Sequence, residues 1–163
     1  MTDMTDVVEQ ILSDYLLRWN DFNADGMISF WDTEDEGIIY VAEEVDALHG
    51  WEALEGYFRA SDPKTSDHFI TVRDVRARLI SSDLIQAFWN MNWSIYFATE
   101  KLYPKPIGGE VRVTALLRKK DDGWKFFHWI EGPLAALLQL QRAHEDKVDQ
   151  RLIEKLRAKE IRF

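Results

Sequence analysis

The stretch from Glu110 to Glu131, EVRVTALLRKKDDGWKFFHWIE, constrains the fold more than any other part of the chain. Val111, Val113, Ala115 and Leu117 alternate with Arg112, Thr114, Leu116 and Arg118, the period-two pattern of a strand with one buried face. Asp121-Asp122-Gly123 supplies turn chemistry and Trp124–Ile130 is a second β-rich run, so the pair reads as an antiparallel hairpin. With Lys119 opposite Trp124, unbroken alternation puts Phe126, His128 and Ile130 on the face of Val113, Ala115 and Leu117. His128 is then expected as a polar group pointing inward, with Phe127 and Trp129 on the outside.

The elements before the hairpin follow from their spacing. Val7, Val8, Ile11, Leu12, Tyr15, Leu16 and Trp19 recur at helical intervals, with Asp6 as the expected cap. Met27, Ile28, Phe30 and Trp31 suggest a short second helix, and GIIYV (Gly37–Val41) a short strand. Trp51, Leu54, Tyr57 and Phe58 mark a third helix. Alternation predicts long strands over Phe69–Ile80 and from Leu84 to about Phe97. In the second of these, Ile85, Trp89, Met91, Trp93, Ile95 and Phe97 form the core face. Pro133 is placed in the first turn of a last helix running to about residue 160. Helices first and long antiparallel strands afterwards is an α+β order in a single domain, residues 1–163, with a core over about 7–133.

Charge and composition narrow the function classes. A net charge of −9 argues against nucleic acid, which needs a basic face to displace counterions. No apolar run approaches the ~20 residues that span a bilayer. The absence of cysteine excludes disulfides and thiol chemistry, and with MTDMTDVVEQ at the start it leads to the expectation of a cytoplasmic protein. Seven Trp, five Tyr and nine Phe make a high aromatic share, and such large rings suit a big core, a ligand cavity or a subunit interface equally well.

The first helix ending in NADGMISFW, the GIIYV strand, the GWEALEGYF helix and the VRVTALLRKKDDGWKFFHW hairpin together resemble the nuclear transport factor 2-like superfamily, in its polyketide cyclase-like (SnoaL-like) branch. Arg112, Thr114, Arg118, Trp124 and His128 carry the most specific part of the resemblance. It implies a cone, the cystatin-like fold, in which a curved sheet wraps a long helix and leaves a pocket at its open end. It also implies that the convex sheet face commonly dimerises. Tyr15 falls where the ketosteroid isomerases of this superfamily carry a helix-1 tyrosine. Val41 falls near their aspartate base and Ile130 where many relatives have a second histidine, so that particular chemistry is not expected.

The expected site therefore has Tyr15 and His128 as the groups able to handle a proton, with Trp19, Trp31, Met91 and Trp93 as ligand-binding walls. The expected ligand is a small, apolar, carbonyl-bearing molecule, and the expected chemistry, if the protein is an enzyme, is proton transfer of the isomerase, cyclase or dehydratase kind. The competing expectation is a non-catalytic dimeric accessory or scaffold module whose cavity is filled by its own rings. A homodimer is expected through the convex face, on Phe88, Phe127 and Trp129. Glu43, Glu44, Asp46 and His49 read as a solvated loop near the pocket rim. Asp21-x-Asn23-x-Asp25-Gly26 up to Asp32 has the spacing of a calcium loop, but its twelfth residue is a short Asp and no partner loop exists. No metal and no cofactor are expected.

Overall fold

A computed structural model describes residues 2–43, 45–60, 66–97, 105–145 and 147–160. The elements are α1 (Thr5–Asn20), α2 (Ala24–Ile28), β1 (Ile39–Val41), β2 (Leu48–His49), α3 (Trp51–Ala60), β3 (Ser66–Ser81), β4 (Leu84–Phe97), β5 (Ile107–Lys120), β6 (Gly123–Pro133), α4 (Ala136–Glu145) and α5 (Gln150–Arg157). Six strands form one unclosed sheet in the order β2-β1-β6-β5-β4-β3. All neighbours run antiparallel except β1 and β6. The expected α+β class and the expected strands stand. Among the described residues, no helix is long and apolar enough to cross a membrane.

The chain divides into two compact units, residues 1–133 and 134–163. In the second, α4 and α5 replace the single long helix expected from Pro133. Pro133 is the last residue of β6, and Asp149 restarts the helix by accepting from the backbone N–H of Arg151 at 2.9 Å.

Within the first unit, α1 lies across the inward face of the sheet. Both ends of the helix are tied to β3. At the start, the Ala77 N–H donates to the Thr5 hydroxyl and the Met4 N–H to the Ala77 carbonyl. Asp6 is not the cap: Met4 stands at the N-cap position without a side-chain cap, and the carboxylate of the preceding Asp3 accepts from the Thr5 N–H at 2.9 Å. At the other end, the Asn20 amide imitates a strand: it accepts from the Ile70 N–H at 2.8 Å and donates to the Ile70 carbonyl at 3.0 Å.

Two irregularities decide which side chains face α1. In β3 one extra residue between Arg73 and Arg76 shifts the register against β4. Ile70 is buried before it and Val75 after it, so even positions give way to odd ones. Asp74 adopts φ +57° there, and Asn90 Nδ2 donates to its carboxylate at 2.9 Å. Asp tolerates that backbone region because a short polar side chain can bond locally.

The second irregularity is in β6. Lys119 does pair with Trp124 and Leu117 with Phe126, but Leu116 pairs with His128, so Phe127 is an extra residue. Phe126 is buried, and beyond the bulge the buried residues are Trp129 and Glu131. The inward face expected for His128 and Ile130, and the outward face expected for Trp129, are thus exchanged. The physical reason lies on the other edge of β6. Phe126 donates to the Phe30 carbonyl at 2.8 Å, and Asp32 donates to the Phe126 carbonyl at 2.9 Å, which fixes that residue against segment 30–32. Arg118 then lies 4.4 Å over the Phe127 ring and is held by Asp32 at 3.2 Å and Asp35 at 2.8 Å. Lys120 sits 3.0 Å from the other Asp32 oxygen, an ionic contact whose angles fall short of a hydrogen bond.

Room for the reversed Trp129 comes from small residues. Ala77, Ala87 and Ala115 lie side by side across β3, β4 and β5, and Trp129 is the next position in that row. Three methyl groups leave the space that α1 and one indole occupy.

Candidate functional site

The inward face of the sheet and the underside of α1 enclose an aromatic cluster. Tyr15 is fully buried, and rings surround it: Trp19 and Phe30 at 5.5 Å between centroids, Phe126 at 5.6 Å and Trp129 at 5.9 Å. Trp31 lies behind it, 5.6 Å from Phe126 and 5.8 Å from Tyr40, and donates its indole N–H to the Tyr15 oxygen at 3.3 Å. That leaves the tyrosine hydroxyl hydrogen free to donate elsewhere. Burial, above all, pushes the phenol well above its ordinary range; the charge of Glu131 adds to the shift and the Trp31 N–H opposes it.

β4 supplies one wall. Trp89, Met91 and Trp93 succeed one another on its inward positions, Trp89 and Met91 buried and Trp93 half-buried. Trp89 meets Trp129 edge to face at 4.8 Å. The Trp93 indole occupies the space over its pairing partner Gly109, where a Cβ would come within 2.6 Å of the ring. Among the described residues, neither the Trp89 nor the Trp93 indole N–H has an acceptor.

Glu131 is the charged member. Only 7% exposed, it accepts from the Trp129 indole N–H at 3.0 Å. It pairs across β5 with Val113, which pairs in turn with Trp89, so Glu131, Val113 and Trp89 make one inward row. A buried carboxylate, a buried phenol and two indole N–H groups without an acceptor among the described residues thus belong to an otherwise apolar interior.

Of the residues named from sequence, Tyr15, Trp19 and Trp31 come together in this cluster, and Met91 and Trp93 join them from β4. His128 does not. It sits half-buried on the opposite face of β6, paired with Leu116 and Ile39, and desolvation there lowers its imidazole below the usual value. Trp129 and Glu131 were not expected inside, because the β6 bulge is set by contacts to residues 30–32 that alternation cannot report. Trp89 was expected on the core face but not as a site residue; its position two residues from Met91 was the available signal.

The remaining candidates find ordinary structural places. The Asn23 side chain accepts from the Gly26 N–H at 2.8 Å and caps α2, while Asp25 pairs with Arg59 at 2.9 Å. Among the described residues no group of three or more His, Asp or Glu gathers as a metal site would require. Glu43, Asp46 and His49 are exposed around β2, as a solvated loop should be, and Glu44 lies outside the described residues.

Solved structures share the fold at low sequence identity. A ketosteroid isomerase-like protein from Erwinia carotovora atroseptica is 16% identical with a TM-score of 0.62, over 83% of this chain and 99% of that one. A dehydratase candidate of the NTF2-like family from Streptomyces avermitilis is 15% identical with a TM-score of 0.67, over 79% and 95%. The hexachlorocyclohexane dehydrochlorinase LinA-type3 from Novosphingobium barchaimii LL02 is 16% identical with a TM-score of 0.61, over 79% and 88%. No curated protein matches the sequence. Residues 8–134, most of the chain and nearly all of its first compact unit, match the SnoaL-like domain, and on that match the chain belongs to the SnoaL-like family of the NTF2-like superfamily.

Proposed function

We propose that the aromatic interior binds a small apolar molecule bearing a carbonyl or similar oxygen acceptor. The observation that carries this reading is the buried Glu131, close enough to Tyr15 for its charge to act on the phenol, in a lining otherwise made of rings and apolar side chains. The Tyr15 hydroxyl and the N–H groups of Trp89 and Trp93 are donors for the ligand oxygen, and leaving such donors unengaged in an apolar interior is costly. If the molecule is turned over, Glu131 is the group placed to take a proton from it. Tyr15, its phenol held protonated by burial, is the donor to the oxygen that gains charge. Structural relatives named as isomerase-like, dehydratase and dehydrochlorinase are in keeping with that chemistry.

Native mass spectrometry of the protein as purified tests for a retained ligand, and thermal shifts against a panel of apolar ketones and lactones extend the search. A binder at 100 times its dissociation constant should stabilise by about 2.7 kcal/mol. Tyr15→Phe should weaken that binder by on the order of 1 kcal/mol. A binder indifferent to Tyr15→Phe and to Glu131→Gln would place the site elsewhere.

A second reading, a non-catalytic homodimeric module, is favoured by how completely Tyr15, Trp89 and Trp129 are buried. Its interface would be the outer sheet face, where Phe88 is 37% and Ile130 38% exposed. Phe127 and His128 lie half-buried on β6 nearby, and Trp129 takes no part. Light scattering on Phe88→Glu should then report a monomer, and an unchanged mass for a folded variant removes this reading.

A further inference from the structure

Trp93 is unlike the other indoles of the interior. Trp19, Trp31, Trp89 and Trp129 each pack against at least one other ring, whereas Trp93 has no ring neighbour among the described residues. It stands where the sheet narrows. β6 ends with Pro133 opposite Val111, and the next inward row holds Ile70, Trp93 and Gly109 alone. Ile70 in that row is buried and Trp93 only half-buried, so part of the indole stays accessible beyond the end of β6.

The place of this ring depends on what Gly109 lacks. A Cβ there would lie 2.6 Å from Cζ2, 2.8 Å from Cε2 and 3.1 Å from Nε1 of the indole, so any side chain at 109 drives the ring away. Gly109 is not among the glycines of positive φ, and backbone conformation therefore does not call for glycine at this position. A glycine inside a strand costs conformational entropy and gives up a packing side chain; what it provides here is room for one indole.

We propose that Gly109 seats Trp93 as a stacking platform, which selects ligands carrying a flat, conjugated ring over saturated ones of the same outline. This rests on the ligand-binding reading above and narrows its ligand class. Rings in offset or edge contact attract each other beyond the area they bury, and a saturated ring lacks that attraction. An indole already fixed in place offers the contact without losing side-chain freedom on binding. Gly109 is thus a positioning residue acting through Trp93.

The test compares 2-acetylnaphthalene with 2-acetyldecahydronaphthalene, the same ketone on a flat and on a saturated skeleton, by equilibrium dialysis against the full-length protein. On burial alone the saturated ketone, with its larger apolar surface, binds at least as well. The wild type should instead prefer the flat one by about two- to tenfold. Trp93→Leu should erase that preference. Gly109→Ala should erase most of it too and add little in the Trp93→Leu background, a dependence that a merely structural glycine would not show. If Gly109→Ala folds poorly by circular dichroism, combining it with Trp93→Leu should restore the fold because the clash is gone; a double variant no better folded overturns the positioning role. If Trp93→Leu itself folds poorly, Trp93→Met carries the same expectation. A wild type that binds the saturated ketone as well as the flat one overturns the proposal, as does a preference that survives loss of the Trp93 ring. If neither ketone binds the wild type, the ligand-binding reading itself falls and this inference with it.

Discussion

The two sides of β6 beyond its bulge carry opposite chemistry within four residues. Inward, Trp129 and Glu131 are almost wholly buried, and the carboxylate is engaged by the indole N–H of its neighbour on the same face. Outward, His128 is half-buried and Ile130 is 38% exposed. The sequence WIE that follows His128 would look equally at home in either frame. What separates the two sides is one inserted residue, Phe127, and the set of contacts that holds it. The lesson is that the face a polar strand residue presents is decided by its frame, and composition alone does not tell that His128 points outward and Glu131 inward.

The largest expected effect is a direct contrast between the two sides. Trp129→Ala empties the space above the alanine row and should cost about 3–5 kcal/mol in a denaturant melt. Ile130→Ala, on the other side of the same strand, should cost less than about 1 kcal/mol. Equal costs would mean that the frame of β6 is other than described. Next comes the latch on the bulge. Asp32 is 2% exposed and meets both Arg118 and Lys120. Asp32→Asn should destabilise by about 1–3 kcal/mol, discounted from the cost of a fully buried pair because both cations are about one-third exposed.

Two titrations sharpen the contrast further. The Tyr15 phenol is raised by burial in the fold, so its contribution is complete below the ordinary phenol value of about 10 and is lost as pH rises above it. Alkaline melts should therefore fall off more steeply for the wild type than for Tyr15→Phe. His128 behaves in the opposite sense. Its imidazole is lowered by desolvation, so the unfolded chain binds the proton more readily, and stability declines as pH falls through about 6.5 toward the lowered value. His128→Phe should flatten that acid limb, leave neutral-pH stability unchanged or slightly higher, and leave any binding to the interior intact. This is the smallest of the expected effects, and a loss of ligand binding in His128→Phe would return the histidine to the site.

Much of this arrangement was legible in the chain. Period-two runs at Val111–Leu117 and Ile85–Phe97 report burial of one face directly, and both strands have that face inward as expected. The spacing of Leu12, Tyr15 and Trp19 likewise put the right side of α1 against the sheet. Trp19, Trp31, Met91 and Trp93 lie on the inward side for the same reason: large rings or thioethers at periodic positions have few other places to go. Glu131 and Trp129 were not found, because a bulge is an interruption of the pattern on which their assignment relies. Asp32 was weighed only as the last position of a calcium-loop spacing, not as the latch of the hairpin. Its role depends on meeting Arg118 and Lys120 at the tip of a distant hairpin, and an acidic run such as DTEDEG reads locally as solvated surface.

The contact that fixes β6 joins residues far apart in the chain: Asp32 and Arg118 are separated by 86 positions. Segment 30–32 is synthesised early and has no strand to lie against until β5 and β6 emerge and pair. In folding terms the interior is assembled last, since closing so long a loop precedes any gain from the contacts it brings. Until then Phe30 and Trp31 have Tyr15 to pack on but lack the Phe126 and Trp129 contacts that complete the interior. A ligand that seats against Trp129 and Glu131 would therefore act on the final step of folding, slowing the reopening of a chain that its own hairpin has only just closed.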